Sequence, residues 1–107
     1  MFHPEGVFVA MLTPFDEQGE INEPELRRIV DFLIERGVHG LFPVASSSEF
    51  VHMTIEQRKR MMEIVMEHAR RRVPVTPGAG STCPVRSIEL AKHAREIGAD
   101  GVVLMAP

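Results

Sequence analysis

Gly37-Val38-His39-Gly40-Leu41-Phe42-Pro43-Val44-Ala45 returns, two strand–helix units later, as Gly98-Ala99-Asp100-Gly101-Val102-Val103-Leu104-Met105-Ala106. Each copy ends a helical pattern on a glycine, turns through two residues to a second glycine, and enters a short apolar run. Runs that are apolar on both faces read as buried parallel strands. Val7–Leu12 and Val73–Thr76 have the same character, so four strands are expected: Val7–Leu12, Gly40–Ala45, Val73–Thr76 and Gly101–Ala106. Repetition of this kind suits a barrel of like units, although any α/β sheet reuses the same turn chemistry.

Three amphipathic patterns separate these runs. The first, from Glu23 to Arg36, puts Leu26, Ile29, Val30, Leu33 and Ile34 on one stripe. Asn22 with Glu25 resembles a capping box, Pro24 suits a first turn, and Gly37 suits the stop. The second follows Thr54, with Gln57 at the matching cap position, and turns Ile55, Met62, Val65, Met66 and Ala69 inward. The third starts near Pro84, carries Ile88, Ala91 and Ala94 or Arg95 along one stripe, and stops at Gly98. Strand and helix alternate throughout, which is an α/β plan with right-handed crossovers. The expected fold is the N-terminal half of a (β/α)₈ barrel, with four parallel strands and three helices across residues 1–107. A closed barrel takes about 250 residues, and an open sheet would leave an apolar fourth strand at its edge. The 107 residues are therefore expected to be a fragment, or a piece that pairs with another chain.

Composition narrows the function. A net charge of -3 gives no electrostatic reason to bind nucleic acid. Arg58-Lys59-Arg60 and Arg70-Arg71-Arg72 read as solvated helix faces or helix C-termini. No apolar run approaches the roughly 20 residues that span a bilayer, and Met1 leads into sequence without a signal-peptide stretch. One cysteine, Cys83, cannot form an internal disulfide, so a reducing cytoplasm is expected. His3, His39, His52, His68 and His93 lack ligand spacing, so no metal is expected.

Sites of parallel α/β folds form at the C-terminal ends of strands. Four segments qualify: Thr13-Pro14-Phe15-Asp16, Ala45-Ser46-Ser47-Ser48-Glu49, Pro77-Gly78-Ala79-Gly80-Ser81-Thr82, and the end at Pro107. The serine run offers hydroxyl and backbone donors to a carboxylate or oxyanion, or else is simply a good turn. Gly78-Ala79-Gly80 permits close backbone approach, but it lacks a full phosphate-loop pattern and a neighbouring lysine. Cys83, before Pro84 at a helix start, could favour a thiolate; with no base identifiable, it reads as structural.

In combination these segments resemble the dihydrodipicolinate synthase and N-acetylneuraminate lyase family. Thr13-Pro14-Phe15 matches its first-strand motif, and Val44 to Phe50 falls where it carries Gly-Thr-Thr-Gly-Glu or Gly-Ser-Thr-Gly-Glu. Gly78-Ala79-Gly80 matches its third-strand Gly-x-Gly, and Gly101 to Pro107 its fourth strand. The resemblance covers essentially the whole chain. It implies a lyase that joins an active-site lysine to pyruvate or another 2-oxo acid as a Schiff base, then makes or breaks a carbon–carbon bond. Carried over by position, Ser46 matches the catalytic hydroxyl that relays protons. Ser47 matches the residue that, with its N–H, holds the pyruvate carboxylate, and Ala45 is expected to be the other substrate-binding residue. Ala45 and Ser48 stand where the family has glycines, which reduces backbone freedom.

The resemblance also places the Schiff-base lysine on the sixth strand and a relay tyrosine on the fifth. This chain has no tyrosine, and its lysines, Lys59 and Lys92, fall in helical patterns. Alone, it is expected to be inactive. The complete enzyme is expected to take pyruvate with aspartate semialdehyde, as dihydrodipicolinate synthases do. A 2-keto-3-deoxy sugar-acid or sialic-acid-type aldolase is the alternative, and a non-catalytic half-barrel the alternative of another class. No cofactor, nucleic acid or membrane partner is implied; a homo-oligomer, dimer or tetramer, is. Lysine-regulated relatives hold that effector at a subunit interface, where this chain carries Phe50, Ile55, Arg58, Thr82 and Arg86.

Overall fold

A computed structural model describes residues 2–104 of the chain. The expected positions Met105, Ala106 and Pro107 lie outside the described residues. Two strands, β1 (Phe8–Ala10) and β2 (Gly40–Phe42), pair in parallel with Phe8 opposite Gly40 and Ala10 opposite Phe42. The Phe8 ring packs closely over Gly40, where a Cβ would lie 2.4 Å from it.

The third and fourth segments dock beside β2 in order, but not as continuous strands. Val75 bridges Leu41, and Val103 bridges Gly78, each a single parallel bridge. Of the four expected strands, only two are continuous among the described residues. The reason lies in Pro43, Pro74 and Pro77, which have no N–H to give a ladder. The carbonyls of Pro74 and Pro77 still accept, from Leu41 N–H at 3.0 Å and from Val103 N–H at 2.9 Å. Thr76 N–H donates to Leu41 O and Gly78 N–H to Pro43 O, both at 2.9 Å. The order across the layer is therefore first, second, third and fourth, the order of a (β/α)₈ barrel.

All three expected helices are present: α1 (Glu23–Glu35), α2 (Ile55–Ala69) and α3 (Pro84–Glu96). Asn22 caps α1 by accepting the Glu25 N–H at 3.2 Å. Thr54 and Gln57 cap α2 reciprocally, each side chain accepting the other's backbone N–H at 3.0 Å. Gly37 and Gly98 end α1 and α3 with φ of +83° and +85°, the left-handed turn that glycine enters without strain. After α2 the turn is made by Arg70 and Arg71, at φ 49° and 59°. Arg72 reaches back to the Ala69 and His68 carbonyls at 3.0 and 2.8 Å, serving the acceptors that the helix end leaves unpaired.

Leu26 and Val30 of α1 meet Met61, Met62, Ile64, Val65 and Ala69 of α2 and Leu90 and Ala94 of α3, over Met11, Leu41 and Val75. Fully burying one such side chain stabilises by about 1.5–3 kcal/mol. Two sequence expectations are corrected here. Ile88 is 56% exposed, and α3 turns Leu90 inward in its place, beside the expected Ala94. Arg58 is not on a solvated face but is 9% exposed. Among the described residues, no helix is long and apolar enough to cross a membrane.

Candidate active site

The serine run is a short 3₁₀ turn, Ser46–Ser48, followed by a second, Phe50–His52. The three hydroxyls do different things. Ser48 is fully buried; its Oγ accepts the Ala45 N–H at 3.0 Å and donates to the Met11 carbonyl. Its own carbonyl accepts the buried Thr13 hydroxyl at 2.7 Å. Ser48 is thus the tie that fixes the turn to the end of β1. Ser46 and Ser47 remain exposed on the rim. Ser47 Oγ lies 3.4 Å from the Met11 carbonyl, long for a hydroxyl bond, so it can turn toward a ligand at little cost.

The two positions where glycines were expected impose no strain. Ala45 is extended, at φ -92° and ψ 178°, and Ser48 lies within the 3₁₀ turn. The left-handed positions are Val44, at φ 60°, and Glu49, at φ 61°. A β-branched residue in that region is an outlier that costs of order 1–3 kcal/mol and persists only where its surroundings hold it. Gly78 leaves room for that turn, because a Cβ on it would come 2.2 Å from the Val44 carbonyl oxygen. Gly78 is therefore a packing requirement of the Val44 turn. Gly78 and Ala79 spend their N–H groups on Pro43 O and Val103 O, each at 2.9 Å, so the phosphate-cradle reading fails.

Sequence reasoning missed Arg58. Its Nε donates to Phe50 O at 3.1 Å, its Nη1 to Gly80 O at 2.9 Å, and its Cζ lies 4.9 Å above the Phe50 ring. Burial, and then the nearby Arg86, hold its affinity for a proton below that of an ordinary arginine. A detectable signal was its place in the first turn of α2, where a cation is unfavourable unless used elsewhere.

Neither lysine can serve the site. Lys59 Nζ pairs with Glu89 at 2.7 Å across α2 and α3, which raises its pKa and keeps it protonated. Lys92 is exposed on α3. Cys83 is exposed ahead of α3, its N–H donating to Ser81 Oγ at 3.1 Å. His68 pairs with Asp31 at 2.8 Å and His93 with Glu63 at 3.1 Å. Among the described residues, no three His, Cys, Asp or Glu side chains gather to hold a metal. A groove of about 370 Å³ lined by Phe2, Phe8, Phe42, Thr76 and Gly101 lies on the sheet and shares no residue with the serine turn.

The chain as a whole is similar to known proteins. The model of the dihydrodipicolinate synthetase family matches residues 3–107. A 4-hydroxy-tetrahydrodipicolinate synthase of Acidiphilium cryptum is 45% identical over the whole chain, which spans 36% of that protein. The structure of YagE, an E. coli K12 prophage protein of the dihydrodipicolinic acid synthase family in complex with pyruvate, is 38% identical. It superposes with a TM-score of 0.90 over 92% of this chain and 33% of that one. The 2-keto 3-deoxygluconate aldolase of Picrophilus torridus superposes with a TM-score of 0.90 at 31% identity, over 95% of this chain and 36% of its own. The chain thus spans about a third of the proteins it matches, in register with their folds, and it belongs to the dihydrodipicolinate synthetase family.

Proposed function

We propose that this chain forms the first half of a (β/α)₈-barrel lyase that binds pyruvate, or another 2-oxo acid, as a Schiff base on a lysine outside residues 1–107. The observation that carries this reading is the division of labour in the serine turn: Ser48 is buried as a tie, while Ser46 and Ser47 stay on the rim. In this reading Ser47, with its backbone N–H and with Ala45 beside it, anchors the carboxylate of the 2-oxo acid. Two donors at fixed spacing suit a planar anion. Ser46 relays protons at the reacting carbon, next to the Schiff base.

The 45% identity to a 4-hydroxy-tetrahydrodipicolinate synthase supports aspartate semialdehyde as the second substrate. The likeness to a 2-keto 3-deoxygluconate aldolase supports a sugar-acid substrate as the second reading. In either case the complete enzyme is a cytoplasmic homo-oligomer without cofactor or metal. The test is borohydride reduction of the full-length protein with pyruvate, followed by mass spectrometry of tryptic peptides. A pyruvyl adduct on a lysine outside this segment is expected. An adduct on Lys59 or Lys92 that requires the native fold would contradict the assignment.

A further inference from the structure

Arg58 lies one turn into α2, where a charged run would ordinarily face water. Its guanidinium is instead drawn between two strand-end loops, bonded to Phe50 O on one and Gly80 O on the other. Burying a cation without a counter-ion is unfavourable unless its donors are used, and here the contacts are two main-chain carbonyls and a ring face. Phe50 O is also the end of a run of backbone bonds. It accepts Met53 N–H at 3.1 Å, Glu49 O accepts His52 N–H at 2.9 Å, and Ser46 O accepts Glu49 N–H at 3.0 Å. Glu49, in the middle of that run, is held left-handed.

We propose that Arg58 is a positioning residue for the 2-oxo acid site, clamping the serine turn to the Gly80 loop so that Glu49 stays left-handed and Ser46 and Ser47 keep their place. This rests on the function proposed above. Without the clamp, Phe50 is released, Glu49 relaxes toward an ordinary conformation, and the two serines shift relative to β1. A lysine cannot replace it, because one ammonium on a flexible stem does not reproduce a planar fork that meets two carbonyls and a ring.

The experiment compares the full-length enzyme with its Arg58→Met and Arg58→Lys variants. For Arg58→Met we expect KM for pyruvate to rise tenfold or more, with a smaller fall in kcat. Amide exchange should accelerate from Glu49 to Met53 while the Leu26–Val30 amides stay as in wild type. Arg58→Lys should recover less than half of the loss on a logarithmic scale. An unchanged KM, unchanged exchange in the loop, or full rescue by lysine would overturn the proposal. If the wild-type enzyme traps no 2-oxo acid, the functional reading falls and the exchange comparison alone decides the clamp. If Arg58→Met does not fold, the Nε–H of Arg58 in wild-type protein labelled with ¹⁵N-arginine decides: slow exchange supports the clamp, and exchange as fast as that of a solvated arginine overturns it.

Discussion

The hydroxyl of Thr13 donates to the carbonyl of Ser48 at 2.7 Å, joining the end of β1 to the serine turn across 35 positions of sequence. Both groups are buried, and the same hydroxyl lies 3.2 Å from Met61 Sδ. Replacing Thr13 by the isosteric valine leaves the Ser48 carbonyl buried without its side-chain donor. Such a loss costs about 1–3 kcal/mol. We expect Thr13→Val to lower stability by that amount in urea unfolding of the full-length protein, and Thr13→Ser to lower it much less. Equal stability of all three proteins would show that the tie is incidental.

The three serines should separate in kinetics. A proton relay acts in the transition state, whereas a carboxylate anchor acts in ground and transition states alike. Ser46→Ala is therefore expected to lower kcat more than it raises KM, and Ser47→Ala mainly to raise KM for the 2-oxo acid. Ser48→Ala should first lower stability, because it removes the acceptor for Ala45 N–H and the donor to Met11 O. Small, equal effects of Ser46→Ala and Ser47→Ala on both parameters would mean that the run is only a turn.

Much of the frame was legible because local chemistry and fold agree. Gly37 and Gly98 stop their helices in nearly identical left-handed turns, and Thr54 with Gln57 forms the box their spacing implied. What could not be read depended on contacts distant in sequence. Pro74 sits in an apolar run that reads as a strand and Pro77 just after it, but the ladder breaks where their N–H groups are missing. Ser46, Ser47 and Ser48 are chemically alike in sequence; only the closeness of Met11 and Thr13 makes Ser48 the buried one. Arg58 stands within a basic run, and only the Phe50 and Gly80 carbonyls make it interior. On α3, the expected stripe holds at Ala91 and Ala94, but Ile88 is exposed and Leu90 takes the buried place.

Asp31 supplies a pH dependence. His68 at 2.8 Å, and then Arg72 at 2.9 Å, hold its carboxyl below the usual carboxylate range. A carboxyl depressed in the folded state stabilises above its unfolded value, near roughly pH 4, and that contribution is lost as pH falls through the lower folded value. Thermal melts of Asp31→Asn should therefore lose part of the wild type's decline below about pH 4. A decline identical in both proteins would assign acid sensitivity elsewhere.

The complete enzyme is expected to be insensitive to feedback by lysine. At the positions where regulated relatives hold that effector, the Phe50 ring is covered by the Arg58 guanidinium at 4.9 Å, and Arg86 adds a second cation close by. An incoming ammonium would meet like charge, at a cost on the order of 1 kcal/mol or more when partly desolvated. Titration of initial rates with lysine checks this, and inhibition at sub-millimolar lysine would contradict it.

The turn from Ala45 to Ser48 is proposed to cradle a Schiff-base 2-oxo acid. Its most direct test is the pyruvate dependence of borohydride inactivation in the full-length protein, wild type against Ser47→Ala. A charge-assisted hydrogen bond contributes about 1.5–3 kcal/mol, which corresponds to roughly a 10- to 100-fold change in half-saturation. The account predicts inactivation only with pyruvate and borohydride together, at a lysine other than Lys59 and Lys92, with half-saturation shifted upward by that factor in Ser47→Ala. Inactivation of both proteins at the same pyruvate concentration would contradict it.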